Sequence, residues 1–170
     1  SAFITGAAKG IGLSVAKAFS KEGATVALAD MSGDEAIRQA SEIEAETGNK
    51  ALGVECDVAD KQSVENAIEE TVEAFGTIDT LACMAATMTA RHDVVDLSEE
   101  DWDRTLRVNV TGSFFACKYV IPLMRKAGRG SIILTASQMG QVAWPGSTAY
   151  CTTKGAILQL VKGIALDHKD

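Results

Sequence analysis

The chain has no basic patch, no closely spaced cysteines and no long apolar run, and each lack narrows what it can do. Its 170 residues carry 16 Lys and Arg against 23 Asp and Glu, a net charge of −7. That balance argues against a nucleic-acid backbone or an anionic membrane surface as partner. Cys56, Cys83, Cys117 and Cys151 lie far apart without a CxxC pair, and His92 and His168 stand alone. Neither a disulfide framework nor a metal site is expected, and a reducing compartment, the cytoplasm, is the default. No apolar stretch approaches the roughly 18 residues that cross a bilayer, and no signal peptide is visible. Linkers, repeats and low-complexity segments are missing too, so residues 1–170 read as one domain.

What is present is an alternation of strands and helices. Apolar runs at Ser1–Thr5, Ala24–Ala29, Ala51–Glu55, Ile78–Cys83 and Ser131–Ala136 read as five buried strands. Between them, a helix with Ile11, Val15, Ala16 and Phe19 on one face stops at Gly23. Ser32 and Glu35 have the spacing of a capping box for a helix towards Thr47. Asp60 can cap Lys61–Phe75, closed by Gly76, and Ser98 can cap a long helical region, Asp101 to about Ala127, bent near Thr111–Gly112. A last helix runs from Thr148 to about Asp167. Short apolar strands joined through helices imply right-handed βαβ units, hence an α/β, doubly wound parallel sheet covered on both faces. The chain closes on a helix with no strand after it, which would leave the fifth strand as an open apolar edge. The expectation is an incomplete domain lacking its last strands.

Thr5-Gly6-Ala7-Ala8-Lys9-Gly10-Ile11-Gly12 joins the first strand to the first helix. A helix N-terminus offers unpaired N–H groups and partial positive charge, and glycines let the backbone approach a pyrophosphate. Read alone, such a trio is also a tight turn. Asp30 ends the second strand, 18 residues after Gly12. A carboxylate there can accept from both adenosine ribose hydroxyls and repel the 2′-phosphate of NADP. Lys9 would favour that phosphate, but it can swing into water, so NAD is expected over NADP. Asp57 and Val58 follow the third strand, where they suit an adenine amino group and ring, or equally a helix entry beside a core valine.

Tyr150 and Lys154 are spaced i, i+4 and share one helix face. An ammonium beside a phenol stabilises phenolate, which fits general acid/base work on an alcohol or carbonyl. Ser137 ends the fifth strand, at the sheet edge where such folds bind ligands, and Asn109 is a weak helix former inside a helical region. Thr5–Gly12, Asp57-Val58, Asn109-Val110, Ser137 and Tyr150-x-x-x-Lys154 together resemble the short-chain dehydrogenase/reductase family in order and spacing. The resemblance covers essentially the whole chain. It implies a Rossmann-like NAD(P)-binding domain, of which this sequence looks like the first two-thirds. It also implies Tyr150 as acid/base, Lys154 on the nicotinamide ribose, Ser137 on the substrate oxygen and Asn109 positioning a proton-relay water. Gly6, Lys9, Gly10, Ile11, Gly12, Asp30, Asp57, Val58 and Ala85 would join Tyr150 and Lys154 around the cofactor.

One departure stands out. After the fourth strand the family shows Asn-Asn-Ala-Gly, and this chain has Cys83-Met84-Ala85-Ala86. Cys83 is a poor substitute for the asparagine that ties the sheet together. A small-molecule substrate would meet Gln138, Met139, Gln141, Val142 and Trp144, with Thr87–Val94 opposite. Met139 and Trp144 could equally be packing residues. Helices Thr111–Ala127 and Thr148–Asp167 correspond to those that pair subunits in many members, implying a homodimer or homotetramer of the full-length parent. The rival readings are a nucleotide-binding protein without turnover, an inactive fragment of such an enzyme, and a nucleotide-sugar epimerase. The epimerase would need GxxGxxG, which is absent.

Overall fold

The computed structural model describes residues 1–169. Its elements are β1 (Ala2–Thr5), α1 (Gly10–Lys21), β2 (Val26–Asp30), α2 (Gly33–Thr47), β3 (Ala51–Glu55), α3 (Lys61–Phe75), β4 (Thr80–Cys83), α4 (Glu99–Leu106), α5 (Gly112–Ala127), β5 (Ser131–Leu134) and α6 (Thr148–Asp167). All strand pairs are parallel, in the order β3-β2-β1-β4-β5. The order reverses between β1 and β4, and a doubly wound sheet opens its ligand crevice beyond the carboxyl ends of the strands at such a reversal.

Period-two alternation sorts the strand side chains onto two faces. Ala2, Ile4, Val26, Leu28 and Ala82 pack with Ala16 of α1 and Ala36, Ala40 and Ile43 of α2. Phe3, Ala27, Ala29, Leu81 and Cys83 pack on the other side with Val64 and Ile68 of α3 and Ala116, Cys117 and Val120 of α5. Both faces of the central strands are thus apolar, as a covered parallel sheet requires. β5 lies at the end of the sheet, with Ile133 39% exposed. Beside it a groove of about 680 Å³ between α5 and α6 is lined by Ile121, Met124, Ile132, Leu134, Val161 and Ile164.

Four local expectations need correction. Ile11 is 73% exposed and leaves the buried face of α1, which keeps Ala16, with Val15 and Phe19 packed beside it, and adds Gly12 and Ser20. The capping box at Ser32 does not form. The Ser32 side chain caps nothing, its backbone N–H donates to Asp30 Oδ1 at 3.0 Å, and Glu35 binds Arg38 and Gln39. The long helical region is not one helix with a bend. α4 begins at Glu99, where Ser98 Oγ accepts the Asp101 N–H, and a π-helical turn at Arg107–Thr111 separates it from α5. A π turn inserts one residue into the helical register and often marks a functional position. β5 also stops at Leu134, short of Ala136.

Candidate active site

At the end of β1 the chain turns through Gly6, at φ +64°, and Gly10, at φ +60°, both in the left-handed region that suits glycine. A Cβ on Gly12 would lie 2.2 Å from the Gly6 carbonyl oxygen, and one on Gly6 would lie 2.7 Å from Ala85 Cα. These glycines let α1 start hard against the turn, and the turn press against the segment after β4. Nothing lies within 4 Å of a Cβ placed on Gly10, so that side of the turn is open. Lys9 is exposed at the N-cap of α1, with no side-chain cap bond, and Ile11 is exposed one residue inside the helix.

Asp30 is only 7% exposed and does more than end β2. Its Oδ2 accepts the Ala8 N–H at 3.0 Å, while Oδ1 accepts from Ser32. The carboxylate therefore braces the glycine turn against β2, a role that spacing alone did not suggest. Asp57 is exposed and accepts the Ala59 N–H at 2.9 Å, which shapes the entry to α3. Val58 is in the core beneath Gly112, where a Cβ would meet it at 2.9 Å. Cys56 is buried next to it, and burial, with Asp57 and Asp30 close by, pushes its thiol up to about 12.

Cys83 is the last residue of β4, and the chain that follows it is held from β1. Thr5 Oγ1 accepts the N–H groups of Met84 at 3.1 Å and Ala85 at 3.2 Å, pinning the β4 exit to the start of the glycine turn. Cys83 is a core residue. The adjacent Cys117 thiol, together with burial, holds its own thiol well above the usual range. It packs as a protonated, apolar group, and all four cysteines are free thiols.

Past β5, Tyr150 and Lys154 lie on one face of α6, with Lys154 Nζ 5.5 Å from the centre of the Tyr150 ring. Lys154 is 4% exposed and donates to the Thr135 carbonyl at 2.7 Å, just past β5. Burial pushes its ammonium below the ordinary lysine value. Ser137 is half-buried at the mouth of a 3₁₀ turn, Gln138–Gly140, where its Oγ accepts the Met139 N–H at 3.2 Å. Gln138, Gln141, Val142 and Trp144 are exposed around that turn, and Met139 is half-buried.

Asn109 sits in the π turn and is 2% exposed. Its Oδ1 accepts the Thr87 N–H at 2.7 Å, and its Nδ2 donates to the Thr87 carbonyl at 2.9 Å and to Thr153 Oγ1 at 3.1 Å. Thr153 in turn donates to the Tyr150 carbonyl at 2.8 Å. The side chain of Asn109 thus clamps the loop after β4 to the helix carrying Tyr150. Sequence reasoning placed Thr5 in the turn without a role for its hydroxyl, and missed Thr135 and Thr153. The only signal for Thr153 was a hydroxyl between Tyr150 and Lys154 on the buried face of α6.

A family model described as short chain dehydrogenase matches residues 1–170. The chain is 40% identical over 169 residues to the 2-(R)-hydroxypropyl-CoM dehydrogenase of Xanthobacter autotrophicus, covering 98% of this chain and 68% of that protein. An NAD⁺-bound xylitol dehydrogenase superposes with a TM-score of 0.93 at 36% identity, over 98% of this chain and 64% of the other. An alcohol dehydrogenase of the archaeon Thermococcus sibiricus, complexed with 5-hydroxy-NADP, gives 0.92 at 28% identity, over 99% and 71%. This chain therefore spans about two-thirds of the relatives it matches. With that sheet order, glycine turn and Tyr-Lys helix, the chain belongs to the short-chain dehydrogenase family of oxidoreductases.

Proposed function

We propose that the protein interconverts a secondary alcohol and a ketone with NAD(H), and that Tyr150 carries the proton. The observation behind this reading is the buried Lys154 ammonium held against the Tyr150 ring by the Thr135 carbonyl. That contact fixes Lys154 on the ring that carries the Tyr150 hydroxyl, the group that would take a proton from a substrate hydroxyl. In the reverse direction the phenol returns that proton to the carbonyl oxygen. Ser137 holds the same oxygen by its hydroxyl. Asn109 acts as a positioning residue, since its side chain is committed to Thr87 and Thr153.

The residues present fit a dinucleotide. The open side of Gly10, the close approach of Gly12 to Gly6 and the start of α1 form a cradle for a pyrophosphate. Asp30 would take the adenosine ribose hydroxyls and disfavour a 2′-phosphate, Asp57 would reach the adenine amino group, and Lys154 would hold the nicotinamide ribose. When bound, the nicotinamide ring supplies hydride transfer to or from the substrate carbon. Gln138, Met139 and Trp144 border the substrate side.

Phe114 and Val161, exposed on α5 and α6, suit pairing between copies, while Val120 is spent on the core. The free thiols suit a reducing compartment such as the cytoplasm. The test is absorbance at 340 nm with NAD or NADP against secondary alcohols. Turnover with NAD supports the reading, and inertness towards the whole panel contradicts it.

A further inference from the structure

Two loops leave the carboxyl ends of neighbouring strands, one after β4 (residues 84–97) and one after β5 (residues 135–147). Between them they hold a single Lys or Arg, Arg91, alongside His92, Asp93 and Asp96. Asp93 is occupied within its own turn, where Oδ1 accepts the N–H groups of Val95 at 2.9 Å and Asp96 at 3.1 Å. Among the described residues no carboxylate pairs with Arg91. Its guanidinium stands over the Trp144 ring instead, 5.8 Å from the centroid, and Trp144 is 51% exposed.

The backbone on both sides is fixed. His92 N–H donates to the Gly146 carbonyl at 3.2 Å, and His92 bridges Ser147, the residue that opens α6 three positions before Tyr150. Gly146, at φ +70°, lies so close that a Cβ there would meet Arg91 Cβ at 3.1 Å. An exposed cation is thus anchored on an aromatic plate, beside the start of the helix that bears the acid/base.

We propose that Arg91, stacked on Trp144, is the anion-recognising edge of the substrate site, and that the substrate carries a carboxylate remote from the carbon that reacts. This rests on the proposed reaction at Tyr150. The guanidinium fork matches a carboxylate in geometry, and the indole face offers an apolar seat for the carbon skeleton. A phosphate dianion is the poorer fit, because one cation with Asp93 and Asp96 on the same loop leaves its second charge uncompensated.

The test titrates cyclohexanecarboxylate and cyclohexanecarboxamide, similar in shape and different in charge, by calorimetry in the presence of NAD. Wild-type protein should prefer the carboxylate by roughly tenfold, the scale of a hydrogen bond to a charged group. Arg91→Gln should erase that preference, and Arg91→Lys should keep part of it. The proposal is overturned if neither probe binds, if wild type shows no preference, or if the preference survives Arg91→Gln. Failure here with alcohol turnover intact would remove the subsite and leave the reaction standing. A charge preference without any turnover would do the reverse.

Discussion

The glycine turn after β1 and the rim formed by the residues past β4 and β5 with α6 are built by opposite means. The turn is made by leaving side chains out: Gly12 approaches Gly6, and Gly6 approaches Ala85, so closely that no Cβ fits between them. The rim is made by adding partners: Lys154 to Thr135, Asn109 to Thr87 and Thr153, and Thr153 to Tyr150. One region should therefore resist any addition, and the other any removal.

Gly12→Ala probes this hardest. The new methyl meets backbone, which cannot rotate away, so α1 must shift at a cost of about 3 kcal/mol, near the top of the overpacking range. NAD affinity should fall by about a hundredfold, the same energy expressed in binding, as read by titration of cofactor. Unchanged affinity would show that the turn tolerates additions after all. Asn109→Ala comes next, from the other side. It strips the Thr87 N–H and carbonyl of their side-chain partner, and a destabilisation of about 2 kcal/mol is expected, or a Tm lower by roughly 4–8 °C. A Tm within a degree of wild type would mean the clamp is decorative.

Asp30→Asn is the mildest and sharpens the comparison, because the turn leans on the Asp30 side chain through the Ala8 N–H. Asparagine keeps an oxygen for the Ala8 N–H and removes the charge, so the ratio of NADP to NAD use should rise about tenfold. Asp30→Ala would confuse the question by loosening the turn as well. An unmoved ratio in Asp30→Asn would dismiss the ribose assignment.

The same contrast explains what could be read from the chain. Strands appeared as short apolar runs, and helix ends as Asp60, Ser98 and Gly76, because local backbone preference decides those features. The glycine turn was equally visible, since a missing Cβ is written directly in the sequence. Ser32 and Glu35 misled because Asp30, two residues earlier, captured the Ser32 N–H. The π turn was seen only as a bend, since apolar periodicity does not register one inserted residue. Thr135, Thr153 and the role of the Thr5 hydroxyl stayed hidden because they act through ordinary hydroxyls or a main-chain carbonyl towards residues up to 80 positions away. The Arg91–Trp144 contact joins two separate loops, and nothing local to either announces it.

The proposed reaction depends on the phenol of Tyr150 as proton carrier over a bound dinucleotide. Tyr150→Phe, assayed for alcohol oxidation at 340 nm and for NAD affinity on the same preparation, should lose at least a hundredfold in turnover while binding NAD as wild type does. Normal turnover in that variant would contradict the account outright.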